Sequence, residues 1–243
     1  MKGDAEHGHD FDDWQVAPNI VGDPESYELE NESLRRDGRL DRALYSIAPW
    51  DGQTLVDIGC GTGFWLPYYS ELAEKVIGVE PDQQLLDLAE RRTSDHPGVD
   101  VRRGSAERLP IGDHSAHVVH ARFAYFFGAG ADAGLDEVAR VLVPGGTFLA
   151  IDNSWSGGDF ARLLRASTVG NATIDPDVTQ DWWAGQGAQR HEIQGGWRAR
   201  SRSELERVLR IEFPSGVVSE FMHDHQSSSL SYRFAVYEWR SSD

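Results

Sequence analysis

The chain has 243 residues, 40% of them apolar and including eight Trp, ten Phe and seven Tyr, which excludes a disordered polypeptide and suffices for one sizeable folded domain. Its formal charge of −17 excludes nucleic-acid backbones as natural partners, because an acidic surface repels phosphate. A single cysteine, Cys60, excludes an internal disulfide framework, and no run approaches the ~18 apolar residues of a membrane span, so the expectation is a cytoplasmic protein without nucleic-acid or membrane partners.

Residues 1–24 read as an acidic flexible arm: the first 34 residues hold ten carboxylates against Lys2 alone. The rest, 25–243, reads as one domain. Residues 25–50 predict one helix, or two broken near Gly38. Short apolar runs follow at 54–58, 75–80, 99–104, 116–121 and 147–153, separated by helical stretches near 64–74, 82–93 and 133–143. Buried parallel strands read as continuous apolar runs, and their alternation with helices predicts an α/β doubly wound sheet. A short helix near 158–169 leads into a turn-rich stretch to residue 200. A further helix is capped by Ser201 or Ser203, with Glu204 or Glu206 three positions on. "GVVSEFMH" and "SYRFAVYEWR" close the chain as two strand-like runs, expected to pair as an antiparallel hairpin at the sheet edge.

The stretch "TLVDIGCGTGFW", residues 54–65, carries the first functional signal. A strand running through Asp57 feeds a loop with glycines at 59, 61 and 63, which permits a tight turn and close approach of a ligand. Glu80 ends the second strand, where a carboxylate accepts hydrogen bonds from ribose hydroxyls. A dinucleotide fingerprint needs G-x-G-x-x-G, and the third glycine is missing: Phe64 or Leu66 stands in its place. A nicotinamide oxidoreductase is therefore disfavoured. The acid inside the strand opposes a pyrophosphate and suits a cationic ligand.

In these residues the sequence resembles class I S-adenosylmethionine-dependent methyltransferases. "LVDIGCGTG" is similar to the family's first motif and Glu80 to its second. "GSAERLP" at 104–110 is similar to the adenine-contacting segment, and "LDEVARVLVPGGTFLAIDN" at 135–153 to the approach to the fifth strand. These motifs span residues 54–153 in the family's order. One departure is Ser105, where the family more often carries Asp.

The resemblance implies a Rossmann-like seven-stranded sheet with the last strand antiparallel, and S-adenosyl-L-methionine as cofactor, released as S-adenosyl-L-homocysteine. It implies that Asp57, Gly59, Cys60, Gly61 and Gly63 border the methionine part, with Asp57 on its ammonium. Glu80, Pro81 and Asp82 would take the ribose, Ser105, Ala106 and Glu107 the adenine. His120, Ala121 and Arg122 would lie near the methyl donor, with His120 a candidate base. Substrate specificity in this family is implied to come from the N-terminal helix and from insertions after the fourth and fifth strands. Tyr27, Phe123, Trp155, Trp182, Trp183 and Trp197 are thus candidate acceptor contacts, and 155–200 a candidate substrate lid.

No metal is expected, since "HDH" at 223–225 lacks further ligands. The absence of an N/D-P-P-Y signature after the fourth strand favours a small organic acceptor. The expected activity is methyl transfer to an oxygen, carbon or nitrogen of such a molecule. The alternative is a cofactor-binding protein of this fold that catalyses a non-methylating reaction such as cyclisation, or binds only. Neither the acceptor nor an oligomeric state is legible.

Overall fold

The computed structural model describes Ile20, residues 23–167 and residues 176–241. Most of the acidic arm therefore lies outside the described residues. Helix α1 (Pro24–Asp37) starts where Asp23 accepts the Ser26 backbone N–H at 3.0 Å, with proline in its first turn. Gly38, at φ 63°, ends it in the left-handed conformation and opens α2 (Arg39–Ile47), so the break expected near Gly38 is real.

Five parallel strands then alternate with helices: β1 (Thr54–Ile58), α3 (Leu66–Tyr69), β2 (Lys75–Glu80), α4 (Gln83–Thr93), β3 (Val99–Arg103), β4 (Ala116–Arg122), α5 (Asp132–Val141) and β5 (Leu142–Asn153). The chain continues through α6 (Gly158–Ser167), α7 (Pro176–Gly185), β6 (Gln189–Arg198), α8 (Arg202–Glu212), α9 (Ser215–Asp224) and β7 (Ser229–Arg240). The strands form one seven-stranded sheet in the order β3-β2-β1-β4-β5-β7-β6. β7 runs antiparallel to both β5 and β6. Helix α8 is capped as expected, Ser201 accepting the Glu204 N–H at 3.1 Å.

Two expectations fail at the far end of the sheet. "GVVSEFMH" is helix α9, not a strand: Val218, Phe221 and Met222 recur at the helical spacing and are buried. The hairpin partner of β7 is instead β6, inside the stretch expected to be a lid. Its glycines are there for packing: a Cβ on Gly195 would sit 2.5 Å from the Phe234 ring, and one on Gly196 2.4 Å from the Leu230 carbonyl oxygen.

The sheet buries both faces. On one, Leu55, Val118, Leu149, Trp197 and Phe234 pack with Leu44 of α2 and Leu205 and Leu209 of α8. On the other, Val56, Val119, Phe148 and Ala150 pack with Leu135 and Val138 of α5 and Trp183 of α7. Asp57, Glu80, His120 and Arg122 fall on the first face, the side carrying α1 and α2, because side chains alternate along each strand.

Candidate cofactor site

The loop after β1 sits at the carboxyl end of the sheet, between the ends of β2 and β4. Gly59, Gly61 and Gly63 have φ of 70°, 55° and 72°, a conformation that side chains resist. A Cβ on Gly59 would lie 2.7 Å from the Ala124 Cβ, and one on Gly63 2.8 Å from the Ala89 Cβ. Around Gly61 there is room: the nearest atoms to such a Cβ are the Tyr27 hydroxyl at 3.5 Å and the Ile20 side chain at 3.9 Å. Most of the loop's amides are already used. Gly59 and Cys60 donate to the Val79 carbonyl at 2.8 and 3.1 Å, and Gly61 donates to Glu80 Oε2 at 2.8 Å. These contacts hold the loop against the end of β2, so its function is shape rather than a cradle of free N–H groups.

Glu80 is 5% exposed and fixed at both oxygens, Oε1 accepting from the Asp82 N–H at 3.0 Å. Each oxygen keeps a lone pair for a further donor. Asp82 in turn caps α4, accepting from Gln84 and Leu85. Burial pushes the Glu80 carboxyl up to about 6, against the lowering effect of its two amide partners. Asp57 is 3% exposed, and no hydrogen bond reaches its carboxylate from the described residues. Burial pushes it up to about 7; the nearby Arg122 opposes the rise and Glu80 adds to it. Two buried acids close enough to feel each other favour a cationic guest with hydroxyl donors.

Helix α1 closes one side. Thr62 donates to Glu28 at 2.7 Å, and Arg92 of α4 pairs with Glu28 at 2.6 Å while reaching Thr62 at 3.1 Å. Asn31 accepts from the Trp65 indole at 3.1 Å. Tyr27 thus stands over the loop at Gly61. Beyond β3, Ser105 and Arg108 form an isolated bridge; Ala106 is buried and Glu107 accepts from the Tyr125 hydroxyl at 2.8 Å. Phe123 and Tyr125 bear positive φ, 51° and 56°, so the turn after β4 carries strain where it approaches the site.

His120 requires a correction. It is 0% exposed, both ring nitrogens are sealed without a partner among the described residues, and the ring makes edge contacts with Trp50 and Tyr69 at 5.3 and 5.2 Å. Burial, aided by Arg122, pushes it down to about 3. A neutral ring inside an aromatic cluster neither touches a cofactor nor takes a proton near neutral pH.

The tryptophans divide. Trp183 and Trp197 are 0% exposed and belong to the core, Trp183 stacking on Tyr237 and Trp197 meeting Phe160 edge-on, so neither walls an acceptor. Trp182 is half-buried on α7, and Phe123 stacks on Tyr232. Trp155 lines a cleft of about 420 Å³ beside the end of β5, with Asn153, Arg165, Arg190, Glu192 and Tyr237. Sequence reasoning missed Asp41, Trp65 and Tyr69, which hold Arg122, and the half-buried Asp152 at the end of β5, whose carboxyl is pushed up to about 6 by desolvation. Only the position of Trp65 beside the glycine loop was a usable signal.

Residues 56–150 match the family model described as a methyltransferase domain. That stretch runs from within β1 to within β5 and contains the glycine loop and Glu80. It is 35% identical over 131 residues to a ubiquinone/menaquinone biosynthesis C-methyltransferase of Rubrivivax gelatinosus, covering 53% of this chain and 51% of that relative. The chain thus spans about half the length of that relative. In structure it is similar to the YcgJ protein of Bacillus subtilis, with TM-score 0.58 and 18% identity over 83% of this chain and 97% of that one. It is equally similar to the [4+2]-cyclase SpnF, with TM-score 0.58 and 19% identity over 94% and 98% of the two chains. At these identities the structural likenesses show the fold alone. The cofactor of the methyltransferase family is S-adenosylmethionine, and the site fits it: two buried acids, Asp57 and Glu80, stand beside a loop with room at Gly61. Among the described residues no cluster of three metal-ligating side chains occurs, and no helix is long and apolar enough to cross a membrane.

Proposed function

We propose that the protein methylates a small organic molecule, using S-adenosylmethionine as donor. The observation that carries this is the pair Asp57 and Glu80, buried at the ends of adjacent parallel strands beneath a glycine loop. Asp57 would face the ammonium of the donor, Glu80 its ribose hydroxyls, and the Ser105–Glu107 turn its adenine. Bound donor supplies a methyl group already activated on a sulfonium. The protein's own contribution is then alignment and the exclusion of water. Tyr27, Ile20 and the Glu28–Arg92–Thr62 contact shield the loop from solvent on the α1 side. The acceptor would approach along the carboxyl edge at the ends of β4 and β5, where the half-buried Phe123 and Trp155 offer aromatic surface.

With His120 locked in the core, the base, if the acceptor needs one, is a different group; half-buried Asp152 is the titratable candidate at that edge. The relative from Rubrivivax gelatinosus, a C-methyltransferase of quinone biosynthesis by name, supports a small cyclic acceptor methylated at carbon. The test is release of S-adenosylhomocysteine across an acceptor library that includes hydroquinones. Turnover with a product heavier by one methyl group is expected. A product of unchanged mass would support the non-methylating reading, and tight cofactor binding without turnover on any acceptor would count against an enzyme of this kind.

A further inference from the structure

Helix α1 is tied to α8 by ordinary polar contacts. Arg36 pairs with Glu204 at 2.9 Å, and Arg207 donates to Ser26 at 2.7 Å and pairs with Glu25 at 3.0 Å. A further contact between the same two helices joins like to like. Glu30, half-buried in the middle of α1, meets Glu212, the last residue of α8, in a side-chain hydrogen bond. Among the described residues no N–H or hydroxyl donor reaches Glu30 Oε2, which is sealed from water. Ionised carboxylates only accept hydrogen bonds, so these two can share one only while a proton sits between them.

The surroundings favour keeping that proton. Burial first, and the Glu212 charge second, hold the Glu30 carboxyl well above the usual carboxylate range. No described cation from α2, α8 or β6 bears on Glu30; Arg36 and Arg207 spend their charge on Glu204 and Glu25, and Arg198 of β6 on Asp37. From β7 the titratable group facing the pair is Tyr232, whose hydroxyl donates to Asn153, and from α1 itself it is Tyr27. Tyr27 is one helical turn from Glu30 and stands over Gly61, and Glu28 holds Thr62 of the same loop. The helix that carries the acid pair is therefore the helix that covers the glycine loop.

We infer that Glu30 and Glu212 form a proton-dependent clasp that sets how firmly α1 covers the glycine loop. With one proton shared, the pair joins α1 to α8. When that proton leaves to water, two like charges face each other where solvent does not reach, and only half-exposed ion pairs, weak in water, remain between the helices. The clasp itself stands apart from the cofactor assignment; its consequence, faster cofactor exchange at high pH, rests on that assignment.

The test uses the full chain without ligand. Because the folded protein keeps a proton on Glu30 that the unfolded chain sheds above pH ~4.5, this group's contribution to stability is complete below that pH and is lost as pH rises through the raised folded value. Glu30→Gln keeps a donor for Glu212 at every pH. It should melt within about 1 °C of the native protein at pH 5 and about 4 °C or more above it at pH 8. Glu212→Gln should show the same course, and serves alone if Glu30→Gln does not fold. Hydrogen-exchange protection of residues 24–37, corrected for intrinsic rates, should fall by about tenfold or more between pH 6 and pH 9 in the native chain and stay level in Glu30→Gln. Parallel melting curves for native and both variants across this range would overturn the clasp. Diverging melts with unchanged protection of α1 would also overturn it, leaving a buried acid that holds no helix. Faster release of S-adenosylhomocysteine at pH 9 than at pH 7 from the native chain, but not from Glu30→Gln, is expected in addition; failure of the native chain to bind it at all would overturn the cofactor assignment and leave the clasp standing.

Discussion

The two halves of the sheet were built under different constraints. From β3 to β4 the strands are parallel, and one short loop must bend sharply, approach helices closely and hold two acids at their ends. Those demands leave marks in sequence: glycines at 59, 61 and 63, Asp57 inside a strand, Glu80 at the end of the next. From β5 to β6 the main demands are antiparallel pairing and burial, and many sequences meet them. There a glycine pair marks a strand beneath a ring, and tryptophans fill a core. Function is readable where chemistry restricts the backbone; packing alone is degenerate.

The sharpest way to break this comparison is to truncate one ring in each role. Trp197→Ala, removing a fully buried ring at the β6 edge, is expected to cost about 3–5 kcal/mol of stability, read by denaturant melts. Trp155→Ala, at the half-buried cleft, should cost under about 1 kcal/mol and act instead on acceptor affinity. Equal stability losses would mean that the core and cleft assignments are wrong.

Within the loop, Gly63→Val should destabilise by about 3 kcal/mol, combining a left-handed backbone penalty with overpacking against Ala89. Gly61→Ala meets only ordinary contacts, with the Tyr27 hydroxyl and Ile20, and should cost only about 1 kcal/mol, from its left-handed backbone, while still weakening cofactor binding. If Gly61→Ala left cofactor affinity intact, the open side of the loop would not be the ligand's place.

Proton linkage sharpens the same site. Asp57 rises from 3.8 to about 7 on folding, so the free protein gains from this group below pH ~4 and loses that gain as pH rises through about 7. A ligand ammonium needs the ionised form. Affinity for S-adenosylhomocysteine should therefore drop by about tenfold or more between pH 7.5 and pH 5.5, with proton release on binding. Calorimetry in two buffers of different ionisation enthalpy reads both; a flat profile would contradict the cationic partnership.

The smallest effect expected is at the α1 contact. Glu28→Gln removes a half-exposed ion pair to Arg92, and should weaken cofactor binding by about fivefold or less without moving the melting point appreciably.

How far the sequence carried is visible in particular residues. Asp57 and Glu80 were legible because a carboxylate ending a buried strand has few packing explanations, and the break at Gly38 because helix caps are local chemistry. His120 was misplaced because strand alternation gives a face but not what covers it, and the Trp50 and Tyr69 rings that do so come from elsewhere in the chain. The α9 segment reads as a strand because eight residues with four apolar members fit either period. Asp41, 81 residues from Arg122, was invisible for the same reason: long-range ion pairs leave no local trace.

The central claim is that the buried acids at the ends of β1 and β2 hold S-adenosylmethionine. The most direct measurement is the calorimetric affinity for S-adenosylhomocysteine of the native chain, Asp57→Asn and Glu80→Gln, with melting curves alongside. Removing a buried charged hydrogen-bond partner costs about 1.5–3 kcal/mol, so each variant should bind more than tenfold more weakly; Asp57→Asn should melt no lower than the native free protein, whereas Glu80→Gln sets an amide NH2 against one of two backbone N–H donors and should melt lower. Native-like affinity in both variants would contradict the assignment of this site.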